Sequence, residues 1–339
     1  MNNRVLTTVQ EQDGVQGILS ETPLVSIIIN NYNYGRFLGE AIESALNQTY
    51  PHTEVIVVDD GSTDHSRDVI SQYGDRIIPL LKENGGQASA FNVGFAASHG
   101  EIICFLDSDD MFQPDKVEKL VATFKAHPQI RWCFHPLRYL DNHTKASLDR
   151  YPEGISSRQI DLRSELQQGK IPLFPPATSG LAFTRSLLAK VLPMPQAIIC
   201  ISDNYLKYTT LSFSPGFLLD EDLAILRVHG NNVFTKRPDK QRLEAKIHVL
   251  IAEGIRANFP KLKKLANKLM GIHLGTYWRT GGVAPESQAV VNRYLTNVSL
   301  IEKLEIYLRA AYHSGSLFSN FRKLRIASFQ SRVKQGEIL

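Results

Sequence analysis

Residues 23–64 read PLVSIIINNYNYGRFLGEAIESALNQTYPHTEVIVVDDGSTD, and residues 83–110 read ENGGQASAFNVGFAASHGEIICFLDSDD. Three apolar runs stand out: Leu24–Ile29, Val55–Val58 and Ile102–Leu106. A fourth, IIPLL at 77–81, lies between the two stretches. Each is apolar at consecutive positions and rich in β-branched residues, the pattern of strands covered on both faces. Helical spacing fills the gaps. Phe37, Leu38, Ala41, Ile42, Ala45 and Leu46 share one face over 36–48, with Pro51 closing the unit. Ser62 or Thr63 can cap a helix running to about Gln72. Gln87–Ser98 reads as a helix followed by Gly100, and Pro114 opens another with Val117, Leu120, Val121 and Phe124 on one side. Strand, helix, strand, helix implies an α/β fold with a parallel sheet covered by helices.

In such sheets ligands bind beyond the carboxyl ends of the strands. Three polar clusters fall there: Asn30-Asn31-Tyr32-Asn33, Asp59-Asp60-Gly61-Ser62 and Asp107-Ser108-Asp109-Asp110. Three carboxylates in the four residues of the last cluster repel one another, and a hard divalent cation, Mg²⁺ or Mn²⁺, would offset that repulsion. A solvated acidic turn ahead of Pro114 is the plainer alternative. The second cluster offers a carboxylate to a ribose hydroxyl or a base N–H, or is simply a turn. In the first, Tyr32 can stack on a nucleobase and Asn30 can bond its edge, or the segment is an ordinary loop. Neither G-x-G-x-x-G nor G-x-x-x-x-G-K-[ST] follows the first strand, which argues against a dinucleotide fingerprint and a P-loop. Asp203 (ICISDNYL) and His229 (LRVHGNN) look, from their neighbours alone, like a helix cap and a turn residue.

Taken in order, these elements resemble the family 2 glycosyltransferases, inverting enzymes of the GT-A fold, which implies a mixed, mostly parallel sheet flanked by helices, Rossmann-like in its nucleotide-binding half, here with an α-helical C-terminal extension. The resemblance is close over residues 23–128 and looser to about 235. By position it implies nucleoside contacts from Asn30, Tyr32 and Asp59, with Asp60 near the ribose. It implies a D-x-D pair in which Asp109 binds the metal and Asp107 lies nearer the ribose and the metal's water. Gly85, Gly86 and Asn92 would line the donor pocket, Asp203 would be the catalytic base, and His229 a further metal or phosphate contact. The implied cofactor is Mn²⁺ or Mg²⁺, and the implied donor a nucleotide-diphosphate sugar, with a UDP-sugar favoured. The acceptor would be a hydroxyl of a glycan or of a lipid-linked acceptor, in cell-surface polysaccharide or glycoconjugate synthesis. Phe91 stands where the family often has Arg, and Ser202 where it often has Glu. The Q-x-x-R-W motif of processive synthases is missing, so one sugar per encounter is expected. The rival readings are a non-catalytic nucleotide-sugar-binding relative and a sugar nucleotidyltransferase, whose Gly-rich basic loop NNYNYG does not supply.

The chain has 339 residues and a net charge of +4. Residues 1–235 carry 19 Lys+Arg against 27 Asp+Glu, and residues 236–339 carry 19 against 7. The division suggests a loose polar extension over 1–22, a catalytic domain over 23–235 and a basic helical region over 236–339. That region either packs on the catalytic domain with its Lys and Arg outward, or offers a surface to an anionic membrane. The first reading is the favoured one; the second rests on the mixed basic and apolar stretch around Leu317, Phe318, Phe321, Leu324 and Ile326, which can lie on such a surface. Nucleic acid is not expected, because aromatic and basic residues are not interleaved there. Cys104, Cys133 and Cys200 lack CxxC spacing and read as buried reduced thiols. No apolar run reaches the ~18–20 residues of a membrane span and no signal region opens the chain, so a cytoplasmic protein, peripheral at most, is expected.

Overall fold

The computed structural model describes residues 19–144, 146–172, 176–230 and 237–315. Most of the expected N-terminal extension, and the stretch from Leu317 to Ile326, lie outside these residues. The first half alternates as its apolar runs dictate: β1 (Val25–Asn31), α1 (Gly35–Leu46), β2 (Thr53–Asp60), α2 (Ser66–Ser71), β3 (Ile78–Lys82), α3 (Gln87–Ala97), β4 (Ile102–Asp107), β5 (Met111–Phe112) and α4 (Lys116–Ala126). Then come β6 (Trp132–Phe134), β7 (Leu137–Asp141), β8 (Ser147–Tyr151), β9 (Arg158–Ile160), α5 (Arg163–Gln167), β10 (Leu181–Thr184), α6 (Arg185–Leu188), α7 (Ser202–Thr210), β11 (Gly216–Leu218) and β12 (Ala224–Val228). The chain continues through α8 (Lys240–Asn258), α9 (Lys263–Arg279), α10 (Pro285–Thr296) and α11 (Leu300–Ser314).

The main sheet has the order β3-β2-β1-β4-β10-β6-β11-β9. β1 lies between β2 and β4 and parallel to both, so Asn31 is level with Asp59 and Asn30 with Asp107. That register brings the three polar clusters to one edge. Successive residues face opposite sides. Ile27, Ile29, Val57, Cys104 and Leu106 join one core with α1 and α4. Ile28, Ile56, Val58, Ile103 and Phe105 join another with α3 and with the helices from α7 onward.

β10 inserts antiparallel beside β4, so the sheet is mixed, as expected. One feature has no counterpart in the sequence expectation. A second sheet, β5-β12-β7-β8, is built from the irregular middle of the chain and the strand before His229. The expected cap of α2 also differs. Its N-terminus lies at Ser66, and Ser62 instead accepts from Asn31 Nδ2 and Asn33 N. Cys104 and Cys133 are buried free thiols as expected, whereas Cys200 is free but only partly buried; burial pushes the Cys104 thiol up to about 11. Among the described residues no helix is long and apolar enough to cross a membrane.

Candidate active site

The end of β4 supplies the acidic cluster, and its neighbours tie it down. Asp107 Oδ1 accepts from Asn30 Nδ2 at 3.0 Å and from Gln87 Nε2 at 3.3 Å. Ser179 Oγ accepts from Asp107 N at 3.1 Å and donates to Asp110 Oδ2 at 2.7 Å. Asp110 Oδ1 also accepts from Arg227 N, and Lys116 Nζ donates to the Ser179 carbonyl. Burial, followed by the charge of Asp109, pushes Asp107 up to about 7; Asp203 adds to the push. Asp110 is raised for the same first two reasons. Burial drives Lys116 down to about 7. Such crowding in a dry site is what an added cation relieves.

Asp109 faces His229, which β12 delivers. Asp109 Oδ2 and His229 Nε2 are 3.1 Å apart, and Arg36 lies 3.4 Å from His229 Nδ1. Two ligands adjacent in an octahedral shell with 2.0–2.1 Å bonds stand about 3 Å apart, so the pair fits a small divalent cation. Arginine can only donate, so Nδ1 accepts from Arg36 in the metal-free pair, and a cation at Nε2 would take the place of that nitrogen's contact with Asp109. No group of three or more His, Cys, Asp or Glu residues placed to hold a metal occurs among the described residues. A cation on this pair keeps positions open for phosphate oxygens and water.

Asp203 sits in the first turn of α7, where the helix dipole favours a carboxylate. Its Oδ2 accepts from Lys207 Nζ at 2.7 Å, and Lys207 also reaches the Pro176 carbonyl. Oδ1 has no partner among the described residues. The turn before α7 is strained, because Ile201 holds φ 55°, a left-handed conformation that β-branched residues rarely adopt. Gln87 joins this helix to the acidic cluster. Its Oε1 accepts from Ser202 N at 2.9 Å while its Nε2 serves Asp107.

The nucleoside side of the edge is partly built for internal use. Asp59 is wholly buried. Its oxygens accept from Asn31 Nδ2 at 2.9 Å, Ser62 N at 3.1 Å and Arg67 Nε at 3.0 Å. Asp60 accepts from Gly85 N at 3.0 Å, Gly86 N at 2.7 Å, Asn84 Nδ2 and Lys82 Nζ. Both carboxylates therefore shape the loops of the edge instead of facing outward, which for Asp59 differs from the direct base contact that the resemblance implies. Gly85 and Gly86 lead into α3, and Gly86 (φ 83°, ψ 171°) takes a conformation open essentially to glycine alone. Tyr32 is 47% exposed at the rim. Asn30 Oδ1 and Asn31 Oδ1 are buried with no hydrogen-bond partner among the described residues. These unmet acceptors would be satisfied by a ligand N–H or O–H. Asn92 corrects an expectation. Both ends of its amide bond the Met194 backbone at 2.9 Å, so it clamps α3 to the 192–195 turn and does not line the pocket.

Gln87, Ser179 and Lys207 escaped the sequence reading. Each is an ordinary polar residue locally, and its role comes from partners brought by the fold.

Residues 26–192 match the glycosyl transferase family 2 domain. The chain belongs to glycosyltransferase family 2. An uncharacterized glycosyltransferase of Nostoc is 42% identical over 214 residues, 61% of this chain and 66% of the relative. Bacillus subtilis TuaG, named for teichuronic acid biosynthesis, is 44% identical over 101 residues, 29% of this chain and 40% of that protein. The chain thus spans less than two thirds of the length of these curated relatives. The crystal structure of residues 1–349 of Staphylococcus aureus TarS with UDP-GlcNAc has a TM-score of 0.57 at 17% identity, covering 86% of this chain and 92% of that one. This family 2 chain therefore has the GT-A fold, with a helical C-terminal part.

Proposed function

We propose that this family 2 chain moves one sugar, with inversion, from a nucleotide-diphosphate sugar to a hydroxyl of a glycan or lipid-linked acceptor. A UDP-sugar is the donor, Mn²⁺ or Mg²⁺ the cofactor, and cell-surface polysaccharide or glycoconjugate synthesis the setting. The observation that carries this reading is the meeting of Asp107, the Asp109–His229 pair and Asp203 at one sheet edge, with Gln87 between. The kinship with TuaG and the fold shared with a UDP-GlcNAc-binding protein support it.

In this reading Tyr32 stacks on the base, and Asn30 and Asn31 accept from the nucleoside through their unmet oxygens. Asp59 and Asp60 act behind them, holding the loops in place. Asp109 and His229 hold the cation, with Asp107 beside the ribose. The cation, when bound, offsets the charge growing on the departing diphosphate. Asp203 accepts the acceptor's proton at Oδ1. As that proton leaves, the acceptor oxygen bonds to the anomeric carbon, and the bond from that carbon to the diphosphate oxygen breaks on the opposite face. The configuration inverts in one displacement. Lys207 keeps Oδ2 fixed meanwhile.

Thermal unfolding with UDP, dTDP, GDP, CDP and ADP, each with and without Mn²⁺, tests the donor site. UDP and Mn²⁺ together should raise Tm by several degrees, since a ligand at 100 times its Kd adds about 2.7 kcal/mol. No shift with any pair would refute the nucleotide-sugar reading. UDP release from a UDP-sugar in the presence of acceptor then separates an enzyme from a non-catalytic binder.

A further inference from the structure

The last described helix, α11, is apolar on two sides. Its inner side presents Ile306 and Ala310 to α9. The approach is close: a Cβ on Gly275 would sit 2.5 Å from the Ala310 carbonyl oxygen. At 100° per residue, Leu300, Ile301, Leu304, Leu308 and Tyr312 fall on the other side, within an arc of about 120°. All five are exposed, Leu300 at 83% and Ile301 at 73%. Beside them Trp278 of α9 stacks on Tyr307, and both rings are partly exposed. An outward stripe of this size on a helix already anchored by its inner side is unusual for a water-facing surface.

The charge beside the stripe points to what covers it. Lys268 and Arg279 of α9 and Arg309 and His313 of α11 crowd one flank. Burial and then Arg309 lower the Lys268 ammonium, and burial with Arg309, Arg279 and Lys268 lowers His313. Among the described residues no carboxylate forms an ion pair with Lys268, Arg279 or Arg309. Of the acids on α11, Glu302 is held by Arg256, and Glu305 lies at the edge of the stripe. The chain then continues with five Lys or Arg against one Glu over residues 316–339.

We propose that the outer face of α11, with the Trp278–Tyr307 pair and the Lys268–Arg279–Arg309 cluster, lies against an anionic lipid surface. An apolar face flanked by cations and interfacial aromatic rings suits the boundary between headgroups and acyl chains. A second copy of the chain suits it less well. A two-fold contact sets a patch against itself, and here would bring two unneutralised basic clusters together. The surface also deepens the proposed reaction: a face seated on lipid would suit a lipid-linked acceptor. The binding test below reads no turnover, so its outcome and that of the donor-site test are separate.

The test is cosedimentation of the full chain with mixed phosphatidylcholine–phosphatidylglycerol vesicles and with pure phosphatidylcholine vesicles, at low and high salt. Binding to the mixed vesicles should exceed binding to the neutral ones by at least about 10-fold and fall with salt. Leu304→Glu with Leu308→Glu should lower partitioning at least about 100-fold, as two leucines leave the apolar phase. Both sites are exposed, so unfolding should be unchanged. Lys268→Gln with Arg309→Gln should remove most of the preference for anionic vesicles. The proposal is overturned if the chain ignores both vesicle types or if the leucine variant binds undiminished. It is equally overturned if sedimentation shows a stable dimer that the leucine variant dissolves.

Discussion

Lys207 Nζ lies 2.7 Å from Asp203 Oδ2, one helical turn along α7, and both side chains are buried. The pair fixes one oxygen of the proposed base and leaves the other for chemistry. Asp203→Asn should cut turnover by about 10²–10⁴-fold, the usual contribution of general base catalysis, with UDP binding unchanged. Lys207→Met leaves a buried carboxylate unpaired and should destabilise the fold by about 3–5 kcal/mol. Adding Asp203→Asn to Lys207→Met should recover part of that loss, because the uncompensated charge is gone. Urea unfolding of the four proteins measures the coupling. Additive losses would mean that the pair does not stabilise the helix as argued.

The Asp109–His229 contact makes a separate prediction. If both atoms bind one cation, His229→Ala should weaken Mn²⁺ dependence of UDP binding by more than about 10-fold, and Asp109→Ala by more still. Isothermal titration of UDP with and without Mn²⁺ into wild type and each variant reads both effects. Equal Mn²⁺ affinity in wild type and His229→Ala would remove His229 from the metal site.

The sequence announced half of this site and concealed the other half, for a physical reason. β1, β2 and β4 are apolar on both faces, so their burial, parallel pairing and converging ends could be read from composition. β6 and β10 are three and four residues long, too short to show a period. The second sheet joins β12 to β7 and β5 across long stretches of chain, and no local pattern records that pairing. The acidic clusters were visible because like charges in sequence demand an explanation. Gln87 was not, since its partner Ser202 lies 115 residues away, nor was Ser179, which meets Asp110 across 69. The internal roles of Asp59, Asp60 and Asn92 were hidden likewise, because a motif states residue types and not which way an oxygen points.

Gly86 is a third point of test. Its backbone conformation excludes other residues, and a Cβ there would sit 2.6 Å from Ile199 Cα. Ile199 also accepts from Gln87 N through its carbonyl, so the loop cannot move without disturbing Gln87. Gly86→Ala should therefore destabilise the chain by about 1–3 kcal/mol from backbone strain alone. It should also weaken UDP binding, because the loop lies on the donor side. Thermal unfolding with and without UDP and Mn²⁺ separates the two effects. A variant with wild-type Tm and UDP response would show that the loop tolerates a side chain.

The last prediction concerns pH. Burial holds His135, His248 and His273 below the ordinary imidazole value. Between each folded value and about 6.5, the unfolded chain takes a proton that the folded chain refuses. Stability therefore falls as pH drops through that window, by at most about 1.4 kcal/mol per pH unit for each group. Asp107, pushed up to about 7, and Asp110 act the other way in metal-free protein. Their folded forms take protons first, so their contribution to stability grows as pH falls. The wild-type slope is thus a difference of opposed effects, and a single variant isolates one of them. His273 is the best choice. Its ring stacks on His248 with centroids 4.2 Å apart, and its Nδ1 is buried without a partner among the described residues. Besides burial, the charges of His248 and His313 lower it, while His248 in turn feels Glu244, Asp203 and Lys207. His273→Phe keeps an aromatic ring in the stack and removes the titrating group. Unfolding by urea between pH 5 and 7 should show the variant's stability falling less steeply toward acid, by up to about 1.4 kcal/mol per unit below pH 6.5. Parallel curves for the two proteins would mean that His273 holds its proton equally well folded and unfolded, against the burial that defines it.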